Sequence, residues 1–212
     1  MGVIRFPTER RLQAAARTQA ETGPAQAVAA QEPIPATGQP FAFLSVEIRR
    51  LPRTESRIDG EIAGRILNRC VLSCLEILSK EKIPVDLAGT VLRPIVEATF
   101  HGGDGAVRAA RAGAAIREAV VKVQREIELE FHAFGAITVG AVSESEGGVK
   151  LTSGAPEQVA ARLREHAAPS QILLSESAWR ACETEVEVDQ SAIPVTMPGS
   201  EPVPAYSLAA VK

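Results

Sequence analysis

What most limits the fold of this chain is the order in which its hydrophobic pattern changes period. Residues 41–48 are an apolar run that ends among the charges Glu47, Arg49 and Arg50, the mark of a buried strand. From 58 to 79 the apolar residues Ile62, Ile66, Leu67, Cys70, Val71, Cys74, Leu75 and Leu78 recur at helical spacing, with Asp59, Glu61, Arg65 and Arg69 around the rest of the wheel. Pro84 stops any continuation. Two short strands are predicted at 90–92 and 95–100, with Arg93 and Pro94 in the turn between them, where a proline costs no ladder bond. Gly102, Gly103 and Asp104 then open an Ala-rich helix to about residue 130, capped by Asp104, with Val107, Ala110, Ala114, Val121 and Ile127 as its apolar stripe. A strand at 133–142 follows. The resulting order, βαββαβ, is an α+β, ferredoxin-like arrangement in which helices cover one face of an antiparallel sheet.

After this core come a polar turn at Gly147 and Gly148, a short strand at 149–152, a helix at 156–166 and a strand at 171–174. Ser175 is positioned to cap a short helix that Trp179 would anchor to the sheet, and the last strand candidates lie near Val186 and at 205–208. A chain of 212 residues holds one such core, so 41–212 reads as one domain. Residues 1–40 read as a disordered tail, because 22–40 have neither apolar periodicity nor an aromatic residue. Near its start, Thr8 can cap a short helix; Phe6, Arg10, Arg11 and Leu12 there form a candidate docking motif on a flexible spacer.

A net charge of −3 and a pI near 5.7 give no general attraction for nucleic acid. No apolar stretch is long enough to insert in a membrane, and charged residues occupy the place of a signal peptide's apolar run. Cys70, Cys74 and Cys182 match neither a disulfide framework nor a zinc pattern, which places the chain in a reducing compartment, the cytoplasm. Cys70 and Cys74 fall on the aliphatic face of their helix and read as core. His101, His132 and His166 lack metal-ligand spacing. Gly102-Gly103-Asp104 lacks the Lys-Ser/Thr of a phosphate loop and reads as a helix start.

Three phrases then occur in a particular order. Phe43-Leu44-Ser45-Val46-Glu47-Ile48-Arg49 resembles VLFADIRGF. Ala160-Ala161-Arg162-Leu163, followed by residues 169–176 (PSQILLSE), resembles NLAARL and PGQILVSE. Residues 199–208 (GSEPVPAYSL) resemble GKAEPVPVYRL. Together they resemble a class III adenylate/guanylate cyclase homology domain of bacterial type over about four-fifths of the chain.

That resemblance implies a two-metal site, in which paired carboxylates hold the cations that neutralise the charge of phosphoryl transfer. The first carboxylate falls at Glu47, one methylene longer than the family's Asp, and the second at Pro94, which has no ligand to offer. The base-reading Lys falls at Thr90 and its partner at Ala155, neither of which can make the purine contacts. The ribose-orienting Asn falls at Gln158, and the Arg that neutralises the phosphate at Arg162, the one unchanged position and a candidate anion-binding remnant. The implied expectation is a degenerate cyclase domain, not an enzyme, with no metal and no cofactor. It would act as an interaction, dimerisation or regulatory module in signalling, with itself or another cyclase-type domain as partner. The alternatives are a divergent cyclase, the silent half of a heterodimeric cyclase, or a nucleotide sensor resting on Arg162.

Overall fold

β1, Gln39–Arg50, lies inside the sheet and sorts the molecule into layers by its two-residue alternation. Ala42, Leu44, Val46 and Ile48 are buried toward one side, while Phe41, Phe43, Ser45 and Glu47 belong to the other. The computed structural model describes residues 39–51, 60–83, 85–90, 93–127, 131–145, 148–151, 155–189, 192–196 and 202–212. Phe6, Arg10, Arg11 and Leu12 lie outside the described residues.

In chain order, β1 is followed by α1 (Gly60–Lys80), β2 (Val85–Thr90), β3 (Arg93–His101), α2 (Gly105–Ile127) and β4 (Phe131–Ser145), the predicted βαββαβ core. β1 pairs antiparallel with both β3 and β4, so the core strands are ordered β2-β3-β1-β4. The chain goes on through β5 (Gly148–Leu151), α3 (Ala155–His166), β6 (Gln171–Ser175), α4 (Glu176–Cys182), β7 (Val186–Val188), β8 (Ile193–Val195) and β9 (Val203–Val211). β6 joins β4 in parallel and extends the sheet to β9 and β7, while β5 hangs on β4 and β8 on β9.

α1, α2 and α4 pack over the side of Leu44 and Ile48, where Leu67, Leu78, Phe100, Ile116, Val120 and Ile137 are fully or almost fully buried. Among the described helices α3 alone covers the opposite side, through Ala160 and Leu163, with Ala167 just past its end, against Phe43, Phe134, Ala136 and Leu173. The helices of the core thus share one face, and a helix from beyond the core covers the other. Gly140 allows α3 its close approach: a Cβ there would stand 2.7 Å from Pro156 Cγ and 2.8 Å from Phe41 Cζ.

Several details differ from the sequence reading: β1 begins at Gln39, inside the expected tail, and β2 runs over Val85–Thr90 rather than 90–92. Pro94 lies within β3 opposite Gly89, not in the turn. The ladder to β1 ends at the Glu47–Ile95 rung, so at Pro94 only β2 flanks the strand and the missing N–H removes no bond on the β1 side. The stripe of α2 is also rotated by about one residue. Ala106, Ala109, Ala110, Ala112, Ile116, Val120 and Val123 are buried, whereas Val107, Ala114 and Val121 are only half-buried. Alanine on several faces gives little contrast to fix the phase, and the larger Ile116 and Val120 decide it.

Polar contacts pin the outer elements. Arg117 of α2 donates from Nη1 to the Leu208 carbonyl at 2.6 Å and from Nη2 to the Ala209 carbonyl at 2.7 Å, a fork that ties α2 to β9. Ser175 caps α4 by accepting from the Ala178 N–H at 3.2 Å. Trp179 stacks on Tyr206 with ring centroids 4.3 Å apart, anchoring α4 to β9 as its sequence position suggested.

Candidate functional site

The α3-covered side of β1 begins apolar and ends charged. Phe41 and Phe43 are packed under the helix; Ser45 is fully buried; Glu47 comes next on the same side and keeps 12% of its side chain exposed. On α3 the inward positions Ala160, Leu163 and Arg164 recur at helical spacing, and Ala167 continues them just past the helix end. Arg164 is therefore a charged residue on an apolar stripe. Only 9% of its side chain is exposed.

The position is tolerable because partners surround it. Arg164 Nη1 donates to Ser45 Oγ, 119 residues away in sequence, and Arg164 Nε stands 3.6 Å from Glu47 Oε2. Arg49, two residues beyond Glu47, places Nε 3.2 Å from Oε1 of the same carboxylate. Its guanidinium also lies over the Phe134 ring, 3.9 Å from the centroid. Both oxygens of Glu47 thus face an arginine. A cluster this desolvated depends on its partners, because a buried charge that loses its counter-ion costs several kcal/mol.

The residues do not fit a pair of divalent cations. Glu47 is engaged by two guanidiniums, and the rung opposite it on β3 is held by Ile95, next to Pro94. Neither Ile95 nor Pro94 has a side-chain oxygen. Thr90 ends β2 as the register partner of Arg93, and Ala155 is the first residue of α3. Gln158 and Arg162 are exposed one turn apart on α3, and Arg162 Nη1 pairs with Glu165 Oε2 at 2.8 Å. Glu47 and Arg162 therefore lie on different sides of α3, Arg162 toward solvent and Glu47 toward the sheet. Among the described residues no group of three or more His, Cys, Asp or Glu side chains converges on a point that could hold a metal ion.

The remaining candidates are structural. His132 Nδ1 and Ser170 Oγ are 3.0 Å apart, His166 Nδ1 meets the Arg162 carbonyl at 2.9 Å, and His101 is exposed beside Phe41. Cys70, Cys74 and Cys182 are buried on the opposite side of the sheet. Burial pushes the Cys70 and Cys182 thiols up to about 11 and Cys74 to about 12, so they are not nucleophiles at neutral pH.

The same arrangement of strands and helices is found in solved structures. The chain is similar to the guanylyl cyclase Cya2, with 21% identity, 82% of this chain and 95% of that one covered, and a TM-score of 0.66. It is also similar to the adenylyl cyclase CyaB from P. aeruginosa, at 17% identity, with 82% and 95% covered and a TM-score of 0.65. The fold is that of the class III nucleotide cyclase domains. A non-canonical dimeric guanylyl cyclase domain of the RhoGC fusion protein from the aquatic fungus Blastocladiella emersonii has the cyclase fold in common with it, at 16% identity, with 82% and 98% covered and a TM-score of 0.61. No protein-family profile and no curated protein matches the chain. No helix among the described residues is long and apolar enough to cross a membrane.

Sequence reasoning missed Arg164, Ser45 and Arg49 as a cluster. The signal was present: Arg164 stands four residues after Ala160 and three before Ala167, on the stripe that must face the sheet. Its partners could not be read, because a strand and a helix so far apart in sequence meet only in the tertiary structure.

Proposed function

We propose that this chain is a catalytically inactive, degenerate cyclase-fold domain that works in the cytoplasm as a protein-interaction, dimerisation or regulatory module in signalling. The observation that carries this reading is the state of Glu47. The one carboxylate at a family metal position is already neutralised by Arg164 and Arg49. Pro94 and its neighbour Ile95 supply no second ligand, and Thr90 and Ala155 supply no base contacts. Loss of a single electrostatic stabiliser costs an enzyme about 10² to 10³ in rate, so the combined losses leave no effective cyclase. The partner that fits is a second copy or another cyclase-type domain; the Blastocladiella domain occurs both as a non-canonical dimer and as a monomer. The segment with Phe6, Arg10, Arg11 and Leu12 is a second docking element.

The test is product formation from ATP and GTP with Mg²⁺ or Mn²⁺, next to a heat-denatured control. No cyclic nucleotide above the control is expected; turnover abolished by Glu47→Ala overturns the reading. Sedimentation of the full chain and of a version lacking residues 1–20 separates the docking elements. Self-association unaffected by the truncation places the dimer surface on the domain, and loss of a partner together with Phe6→Ala assigns that partner to the N-terminal segment.

A further inference from the structure

On the reading of this chain as a domain without turnover, the geometry points to Arg164 as a built-in counter-cation that closes the β1 carboxylate against divalent metal ions. Its guanidinium faces Glu47 Oε2 at 3.6 Å while also donating to the buried Ser45 hydroxyl; Arg49 Nε faces Oε1 at 3.2 Å. A guanidinium thus stands at each oxygen of the Glu47 carboxylate. An approaching Mg²⁺ or Mn²⁺ is repelled by both guanidiniums, which stand within a few ångströms of the carboxylate it would bind. The cation would also have to displace a guanidinium from each oxygen. Arginine keeps its charge under all ordinary conditions, so the closure is permanent.

The position of Arg164 links this closure to the packing of α3. Arg164 is carried on the same turn as Leu163, which is buried against the sheet. The side chain therefore reaches Glu47 whenever α3 is seated. Metal exclusion and helix docking are one event in this fold, and the exposed Arg162 takes no part in it.

Mn²⁺ itself is the probe, with the full chain and electron paramagnetic resonance of the free ion as the readout. The wild type is expected to bind no Mn²⁺ that depends on Glu47. Arg164→Met removes the charge and is expected to raise Mn²⁺ affinity about tenfold, a modest return on one unit charge removed at this range. Glu47→Gln in the Arg164→Met background should abolish the gain, and Arg164→Lys, which keeps the charge, should not show it. Should Arg164→Met fail to fold, Arg164→Gln carries the same expectation, because its amide can still donate to Ser45 without a charge. Mn²⁺ binding by the wild type that Glu47→Gln removes overturns the proposal, as does an equal gain in the Lys and neutral variants, or no gain in any neutral variant that folds. Cyclic-nucleotide product from the wild type without Glu47-dependent Mn²⁺ binding would sink the inactive reading and leave metal exclusion standing.

Discussion

The two sides of β1 solve the same packing problem with different chemistry. On the side of Ala42, Leu44, Val46 and Ile48, three helices seal a layer of aliphatic side chains and buried thiols. On the other side the apolar contacts stop at Phe43, and the layer continues as Ser45, Glu47 and the arginine that α3 lowers onto them. The first side is held by area removed from water, which is indifferent to partner identity; the second depends on charges that must meet their counterparts. Shape and charge pairing are thus assigned to opposite sides of one strand. The aliphatic side carries the fold. The polar side of the same strand is held by an internal ion pair.

The comparison predicts unequal responses to substitution. Leu44→Ala leaves a cavity between fully buried neighbours and is expected to cost about 2–5 kcal/mol in urea denaturation. A loss below 1 kcal/mol would mean that the aliphatic side does not carry the fold. Arg164→Met should cost less, roughly 1–3 kcal/mol, because Glu47 loses one counter-ion but keeps Arg49 and some solvent. Replacing both charges, Glu47→Met with Arg164→Met, is expected to return stability to within about 1 kcal/mol of the wild type. If the double variant is less stable than Arg164→Met alone, the cluster is a net stabiliser and the comparison must be redrawn.

The thiols sharpen the other side. Cys70, Cys74 and Cys182 are pushed from 9.0 up to about 11, 12 and 11 because burial disfavours the thiolate. Raised folded-state values mean that their contribution to stability is complete below about pH 9. It declines between pH 9 and about 12, as the unfolded chain gains by ionising first. Unfolding free energies across that range should fall with pH, and native thiols should resist a disulfide reagent at pH 8 until denaturant is added. Rapid labelling of the native protein would place these cysteines at an accessible surface. The smallest effect belongs to Arg162: its pair with Glu165 is solvent-exposed, so Arg162→Ala should shift stability by less than about 1 kcal/mol. A larger loss would give Arg162 a role in packing that its position does not explain.

Local patterns in the sequence were enough for the element order and the aliphatic side. The βαββαβ succession, the cap at Ser175, the anchoring by Trp179 and the burial of Cys70 and Cys74 all follow from short-range periodicity, capping and side-chain size. Patterns with weak contrast were misplaced: the phase of the Ala-rich α2 and the register of Pro94 both depend on contacts with neighbours. The resemblance to cyclases, carried by residues at matching positions, identified Glu47, Pro94 and Arg162 as places to look. It could not tell that Glu47 would be claimed by Arg49 and Arg164, nor that Arg162 would face solvent. Periodicity is a property of neighbours along the chain, so the kind of each element and its apolar face follow from residue order. Which charge meets which depends on strands and helices distant in sequence being laid against each other, and it is the packing of α3 on β1 that brings Arg164 beside Glu47.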